Sequence, residues 1–346
     1  MNKLAFFCLV LLHSLYCQEI ILKDSLVLPI NYPKFLDESR LFFIDSITYV
    51  AIYHYNEIAN FYKVFNQGIS LVEYKGKPIF KSNSSIKYIT SNEQKILLFC
   101  RNQWLEFNQN FEITKIRKHK YPFCDDISIY QNKLAIINSK NSKPYQNLVL
   151  LDISNHKPKQ ICKTKIQHTI SLSLINGFYG MPSVQVSILN DTIISINYVF
   201  SPINFIYFIP KNKFTYFVIN PLEENKERKF FIEGKRWYGV TGMIKNTCIA
   251  THYDKLISFK HNNQDFLYQL VKFPISLDDV LDEKKFQENL KQKVVIWDKN
   301  FQYLASIEIK NGELFQCISN GTIYTYKKQN NKFVVYKYFL QNFNTN

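Results

Sequence analysis

The chain has 346 residues, a formal net charge of +15 and 16% aromatic residues, with only 9 glycines and 11 prolines. A chain of this length buries roughly three quarters of its extended surface on folding, so it has no need of a disulfide framework. Its 29 Phe and 23 Tyr exclude a disordered chain and favour strands.

Residues 1–17 read as a secretory signal: Lys3 supplies the positive start and Leu4–Leu12 an apolar run too short to span a bilayer. Cleavage after Cys17 would leave Gln18 as the new terminus. A lipid anchor on Cys17 is the rival reading, which the bulky Tyr16 disfavours. No later run is long and apolar enough for a transmembrane helix. The expected organisation is a signal at 1–17 and a single domain over 18–346, exported to the periplasm, cell surface or medium. That domain keeps Cys100, Cys124, Cys162, Cys248 and Cys317, read as small buried hydrophobes.

From there the pattern is strands and turns. Phe65–Ile69, Phe107–Phe111 and Trp297–Phe301 share one form, an aromatic, a short polar turn, then an apolar residue. Leu151–Asn155 and Ile219–Pro221 are looser copies. A second series of turns, Ser91-Asn92, Gln131-Asn132, Asn190-Asp191, Lys245-Asn246 and Asn320-Gly321, interleaves with the first. Asn, Asp and Gly tolerate the left-handed backbone that tight hairpins need. Two interleaved series with a repeat of this size predict an all-β fold, a β-propeller of six blades with four antiparallel strands each.

Taken in order, the blades are expected over Phe42–Tyr74, Ile86–Lys118, Ile127–Lys163, Val184–Ile232 (with extra length around Phe200–Phe214) and Tyr238–Ile309. Leu314–Leu340 holds only three strands, and the N-terminal strand Ile20–Leu28 supplies the fourth. That pairing closes the ring and removes the exposed edges of an open sheet. A short helical insertion near 277–291 is expected, with Ser276 and Asp279 at capping-box spacing. Within the fifth blade, KVVIWDKNFQYLASIEI (Lys293–Ile309) is a hairpin whose second half places Phe301, Tyr303, Ala305, Ile307 and Ile309 on one face.

Phe266–Phe273, VVIWDKNFQYLASIEI and the terminal runs LFQCISNGTIYTYKK and KFVVYKYFL resemble the secreted six-bladed propellers of Gram-negative bacteria, a largely uncharacterised group of NHL-like architecture. The resemblance covers residues 240–340. It implies a propeller fold and export, and it brings no catalytic motif with it.

Neither HExxH, GxSxG, a P-loop nor a dinucleotide fingerprint is present, so no cofactor is expected. The histidines His54, His119, His156, His168, His252 and His261 show no metal-ligand spacing. Asp125-Asp126, at the start of a first strand, can reach the central channel, although neighbours on a strand point to opposite faces. Turn capping is the plainer reading of the pair. The loop Gly234–Gly242 holds Arg236, Trp237 and Tyr238, two aromatics that stack on planar ligands beside a guanidinium that grips carboxylates. An inter-blade connection with its aromatics in the core is the alternative. The ligand-binding candidates are therefore Arg236, Trp237, Tyr238, Asp125 and Asp126.

Basic residues cluster at Lys115–Lys120, which reads as a solvated strand edge or as a site of attraction to an anionic surface; nucleic acid is disfavoured for an exported chain. In a eukaryotic chain Asn83, Asn190 and Asn320 would be glycosylation acceptors. The expected function is a monomeric binding or scaffold module that takes a peptide, glycan or partner protein at one mouth of the ring. The alternative is a hydrolase or lyase whose site is assembled from several blades.

Overall fold

Apolar runs separated by polar turns assemble into six antiparallel sheets in the computed structural model. It describes residues 20–31, 39–44, 47–52, 60–65, 68–72, 86–91, 95–100, 103–108, 110, 112–121, 124–139, 146–155, 157–166, 184–199, 201–222, 251–276, 279, 283–329 and 332–340. Sheet I orders β2 (Ser39–Ile44), β3 (Ile47–Ile52), β4 (Asn60–Phe65) and β5 (Gly68–Val72). Sheet II orders β6 (Ile86–Ser91), β7 (Ile96–Cys100), β8 (Gln103–Phe107) and β9 (Ile113–Lys118). Sheet III orders β10 (Cys124–Tyr130), β11 (Lys133–Ser139), β12 (Gln146–Asp152) and β13 (Lys159–Lys165). Sheet IV orders β14 (Val184–Ile188), β15 (Ile193–Tyr198), β16 (Ile203–Phe208) and β17 (Lys213–Ile219).

Sheet V has five strands: β18 (His252–Tyr253) and β19 (Ile257–His261) both pair with β20 (Gln264–Lys272), followed by β21 (Gln292–Asp298) and β22 (Tyr303–Glu308). Sheet VI orders β23 (Leu314–Ser319), β24 (Thr322–Gln329), β25 (Lys332–Leu340) and then β1 (Ile20–Asn31) from the other end of the chain. The register runs from Ile20 opposite Leu340 to Asn31 opposite Lys332. The expected closure by the N-terminal strand is thus present.

The first strand of each sheet lies innermost. Strands β2, β6, β10 and β14 neighbour one another in turn, as do β19 and β23, and β23 and β2. Between sheets IV and V the Tyr253 N–H donates to the Val199 carbonyl at 2.6 Å. The molecule is a closed β-propeller.

Middle strands are buried on both faces, which explains their unbroken apolar runs. In β11, Leu134 and Ile136 join Phe99 and Trp104 of sheet II, whereas Ala135 and Ile137 join Val186 and Ile196 of sheet IV. In β21, Val294 and Ile296 pack toward Phe315 and Ile323 of sheet VI, and Val295 and Trp297 toward Leu189 of sheet IV. Each such side chain contributes about 1.5–3 kcal/mol of hydrophobic burial, so stability is distributed over the seams between sheets. Cys100 on the middle strand β7 and Cys124 and Cys317 on the inner strands β10 and β23 are buried thiols, and Cys162 is half-buried, with no disulfide among the described residues. Burial pushes the Cys100 thiol up to about 12 and raises that of Cys317, so neither is a nucleophile near neutral pH.

Turn chemistry follows the side chains. Gln131 and Asn320 have positive φ, as expected for two of the tight turns, and Asn320 (47°) with Gly321 (70°) has the left-handed pair of a type I′ hairpin. Asn108 and Asp298 each accept backbone N–H groups two and four residues on. Asn262 and Asn263, φ 49° and 62°, join β19 to β20 in sheet V. The turn expected at Lys245-Asn246 lies outside the described residues.

Two expectations are corrected. The fourth unit carries no extra length at Phe200–Phe214, where β16 and the start of β17 lie, while its expected end at Ile232 lies outside the described residues. Phe301 is not a strand residue: with φ 65° it completes the turn after Asp298, and its ring meets Tyr216 of sheet IV edge-on at 5.5 Å. Tyr303 then stands 43% exposed while Ala305 and Ile307 are buried. The insertion carries the expected helix, described at Asp279 and over α1 (Glu283–Asn289), and the Asp279 N–H donates to Ser276 Oγ at 3.3 Å as capping spacing predicts.

Gly321 packs so closely on His261 that an added Cβ would stand 1.9 Å from its Nδ1. Gly321→Ala is therefore expected to destabilise the fold by about 1–3 kcal/mol, from both the left-handed backbone and the displaced imidazole. A lowered urea midpoint at unchanged slope is the expected result; an unchanged midpoint would contradict the packing of this turn.

Candidate binding mouth where the inner strands begin

An inner strand is hydrogen-bonded to its sheet along one edge only, and its other edge must find acceptors elsewhere. Sheet III provides them for sheet IV. Asp126 Oδ2 accepts the Val186 N–H at 2.8 Å and Ser128 Oγ accepts the Ile188 N–H at 2.9 Å. Asp126 and Ser128 alternate along β10, and Val186 and Ile188 alternate along β14, so one strand's side chains fit the other's unpaired edge. Asp126 is reached through a bulge: Cys124 pairs with Asn138 and Asp126 with Ile137, leaving Asp125 as the extra residue.

The second oxygen pair comes from across the ring. Lys255 Nζ lies 3.2 Å from both Asp126 oxygens and donates to the Ile127 carbonyl at 3.3 Å. Lys255 belongs to sheet V, so this ion pair skips sheet IV and ties the first strands of sheets III and V together. The Asp126 side chain is 10% exposed and that of Lys255 31%. Removing one partner would leave a charge poorly compensated at a shielded place.

Lys255 reaches the mouth because the first strand of sheet V is interrupted. Tyr253 pairs with Val271 and Ile257 with Tyr268, so three residues, 254–256, face two on β20. A cluster of buried amides holds this bulge. Gln269 Nε2 donates to the Asp254 carbonyl at 2.7 Å and to Asn204 Oδ1 at 3.1 Å. Gln269 Oε1 accepts from Asn204 and Asn220 at 3.2 and 2.8 Å. Asn197 Nδ2 donates to the carbonyls of Tyr253 and Asp254 at 3.1 and 3.3 Å. All four amides are buried, and mutual satisfaction makes such a network rigid.

Asp254 itself meets two basic side chains. His252 Nε2 is 3.0 Å from Oδ1 and Lys272 Nζ is 3.3 Å from Oδ2. Burial would raise this carboxyl, but Lys272 and His252 outweigh it and hold it well below the usual carboxylate range. Its side chain keeps 27% of its surface in water, which screens part of the gain. Charges thus alternate over the mouth, Asp126, Lys255, Asp254 and Lys272, with the His252 imidazole beside Asp254. The arrangement offers paired donors and acceptors on a rigid ring. Among the described residues there is no group of three or more His, Cys, Asp and Glu placed to hold a metal.

Of the sequence candidates, Asp126 stands in this cluster and Asp125 is its bulge neighbour. Arg236, Trp237 and Tyr238 lie outside the described residues. Sequence reasoning missed Lys255, Asp254, His252 and the amides. The signal was faint: an isolated His-Tyr-Asp-Lys run ahead of an apolar strand, with partners from 15 (Gln269) to 129 (Asp126) residues distant. The basic cluster at Lys115–Lys120 divides between two jobs. Arg117 is buried, with its Nε 2.6 Å from Glu106, and donates to the Ile153 and Asn155 carbonyls of sheet III. His119 stacks on Phe99 at 4.2 Å, and its Nδ1 accepts the Tyr121 N–H, so its Nε2 carries the proton donated to the Cys100 carbonyl. Lys118 and Lys120 remain exposed.

No family model and no curated protein matches the sequence. Solved structures match in fold. A member of the DUF4221 family from Bacteroides vulgatus aligns over 94% of this chain and 99% of its own at 11% identity, with a TM-score of 0.60. The mitotic checkpoint complex aligns over 94% and 93% at 8% identity and TM-score 0.49, and the Pan2 WD40 domain of Neurospora crassa over 95% and 97% at 7% and 0.42. At 11% identity the likeness to the DUF4221 structure shows the fold alone.

Two outcomes test the cluster. Asp126→Ala leaves the Val186 N–H and the Lys255 ammonium without their acceptor and is expected to cost about 2–4 kcal/mol, whereas Asp126→Asn, which keeps an acceptor, costs less. Equal losses in urea titration would refute the role of the N–H acceptor. Because the folded Asp254 carboxyl sits below its unfolded value of about 3.9, its contribution is present above pH 4 or so and is lost as pH falls toward the folded value. Asp254→Asn should therefore flatten the acid limb of the stability profile; an unaltered limb would refute the assignment.

Proposed function

We propose that this is an exported, single-domain, six-bladed propeller that serves as a binding or scaffold module, receiving a peptide, glycan or partner protein on the face where the inner strands begin. The observation that carries the reading is the convergence of Asp126, Lys255, Asp254 and His252 from two non-adjacent sheets on that face, held by fully buried amides. Rigid, part-exposed groups of alternating charge give orientation and specificity to a polar ligand. The six sheets support the blade count, and the pattern of residues 1–17 supports export. Arg236, Trp237 and Tyr238 precede β18 in the chain, and we propose them as stacking and guanidinium contacts to the same ligand. One observation favours a hydrolase or lyase instead: His252 is oriented by a carboxylate, as a general base would be.

Peptide and glycan arrays probed with the protein lacking residues 1–17 test the reading. Lys255→Gln and Trp237→Ala are expected to lose binding by tenfold or more, about 1.4 kcal/mol, while melting as cooperatively as the parent. A ligand retained by both variants would overturn the site. In the source cell the mature product is expected to begin at Gln18, or at an acylated Cys17; a full-length product inside the cell would overturn export.

A further inference from the structure

The outer strands differ from one another more than the fold requires. Strand β9 reads ITKIRK and β13 reads KQICKTK, without an acidic residue in either. Along β9, Thr114, Ile116 and Lys118 are exposed, and Lys120 follows. Along β13, Lys159, Ile161 and Lys163 are exposed, with Lys157 just before them. Cys162 packs against the core shared with sheet IV, and Lys163, opposite Val149, stands on the other face. The opposite row of β9 carries Arg117, spent on sheet III. Two neighbouring sheets therefore expose the same kind of outer strand, an isoleucine beside a lysine, Ile116 with Lys118 and Ile161 with Lys163.

Lysine on an edge strand ordinarily guards against edge-to-edge pairing. That explanation fails here because the next outer strand lacks the guard. Strand β17, KFTYFVI, has one lysine and exposes Tyr216 (46%), Phe217 (59%) and Ile219 (49%). An edge that tolerates such exposure in sheet IV shows that β9 and β13 did not need their lysines for solubility. The rim thus runs from basic with single aliphatics to aromatic over three consecutive sheets.

We propose that this rim docks on an anionic lipid surface. Lysines placed near such a surface attract its head groups, and Ile116, Ile161 and the β17 aromatics suit the boundary between head groups and acyl chains. An acidic polysaccharide shares the anionic chemistry but is bound through stacked rings and hydrogen-bond donors, and it gives Ile116 and Ile161 no partner. Asp152, opposite Lys159, offsets one charge; backbone and side-chain hydrogen bonds from Ser154 lower its carboxyl, so it stays ionised and does not remove the excess.

Vesicle co-sedimentation of the protein lacking residues 1–17 tests this. Binding is expected to phosphatidylcholine mixed with phosphatidylglycerol, and not to phosphatidylcholine alone, and to weaken as salt rises. Lys118→Gln with Lys163→Gln is expected to lower the partition about twenty-five-fold, roughly fivefold per lysine. Lys260→Gln with Lys310→Gln, on sheets V and VI, should change it less than twofold. Phe217→Ser should weaken the binding that survives high salt. No binding to the mixed vesicles, equal loss in both lysine pairs, or binding to soluble polygalacturonate with vesicles ignored would each overturn the proposal.

Discussion

The free edge of the inner strand is the constraint on which this propeller depends. Sheets stacked radially can bury apolar faces against one another, but the innermost backbone edge stays unpaired unless a neighbour offers acceptors. Between sheets III and IV those acceptors are Asp126 and Ser128, spaced two residues apart to meet Val186 and Ile188. Asp126 is thus structural first, and only then a charge at the mouth. Its ionised form accepts a backbone N–H and an ammonium at once, which a neutral amide does less well.

That double duty explains why the first strand of sheet V is broken. An unbroken strand would place the residue at 255 along the ladder, where its side chain would follow the alternation of its neighbours. The bulge lets Lys255 extend to sheet III instead. A bulge leaves backbone groups without ladder partners, and Gln269 and Asn197 satisfy the Tyr253 and Asp254 carbonyls. Asn204 and Asn220 then lock Gln269. The four amides are fully buried because a partial network would leave unsatisfied donors in an apolar seam. The chain of cause runs from the seam between sheets IV and V to a single ammonium at the mouth.

What the sequence disclosed follows from which interactions are local. Tight turns are decided by residues within four of each other, so Gln131-Asn132, Asn320-Gly321 and the Asp298 turn were legible, as was the partner β25 lacked. The Phe301 error had the same source: alternation continued through it, but Asp298 captured the Gln302 N–H and moved the strand's start to Tyr303. The site was not local. Lys255 and Asp126 are 129 residues apart, and neither has a spacing that announces the other. The amides were invisible for a further reason. Asn and Gln are common in this chain, and only burial separates those four from the ones in turns.

The same logic says where functional information survives in such a fold. Inner strands answer to their neighbours' free edges, and middle strands are apolar because both faces are covered. Only the outer strand has one covered row and one row that no other sheet constrains. Composition there is released from packing, so a difference between outer strands cannot be assigned to the propeller itself. Lysine at Lys163 against Phe217 one sheet on is such a difference, with both side chains exposed on edges of equal rank. The fold is indifferent to the exchange, and what distinguishes the two positions must lie outside the chain.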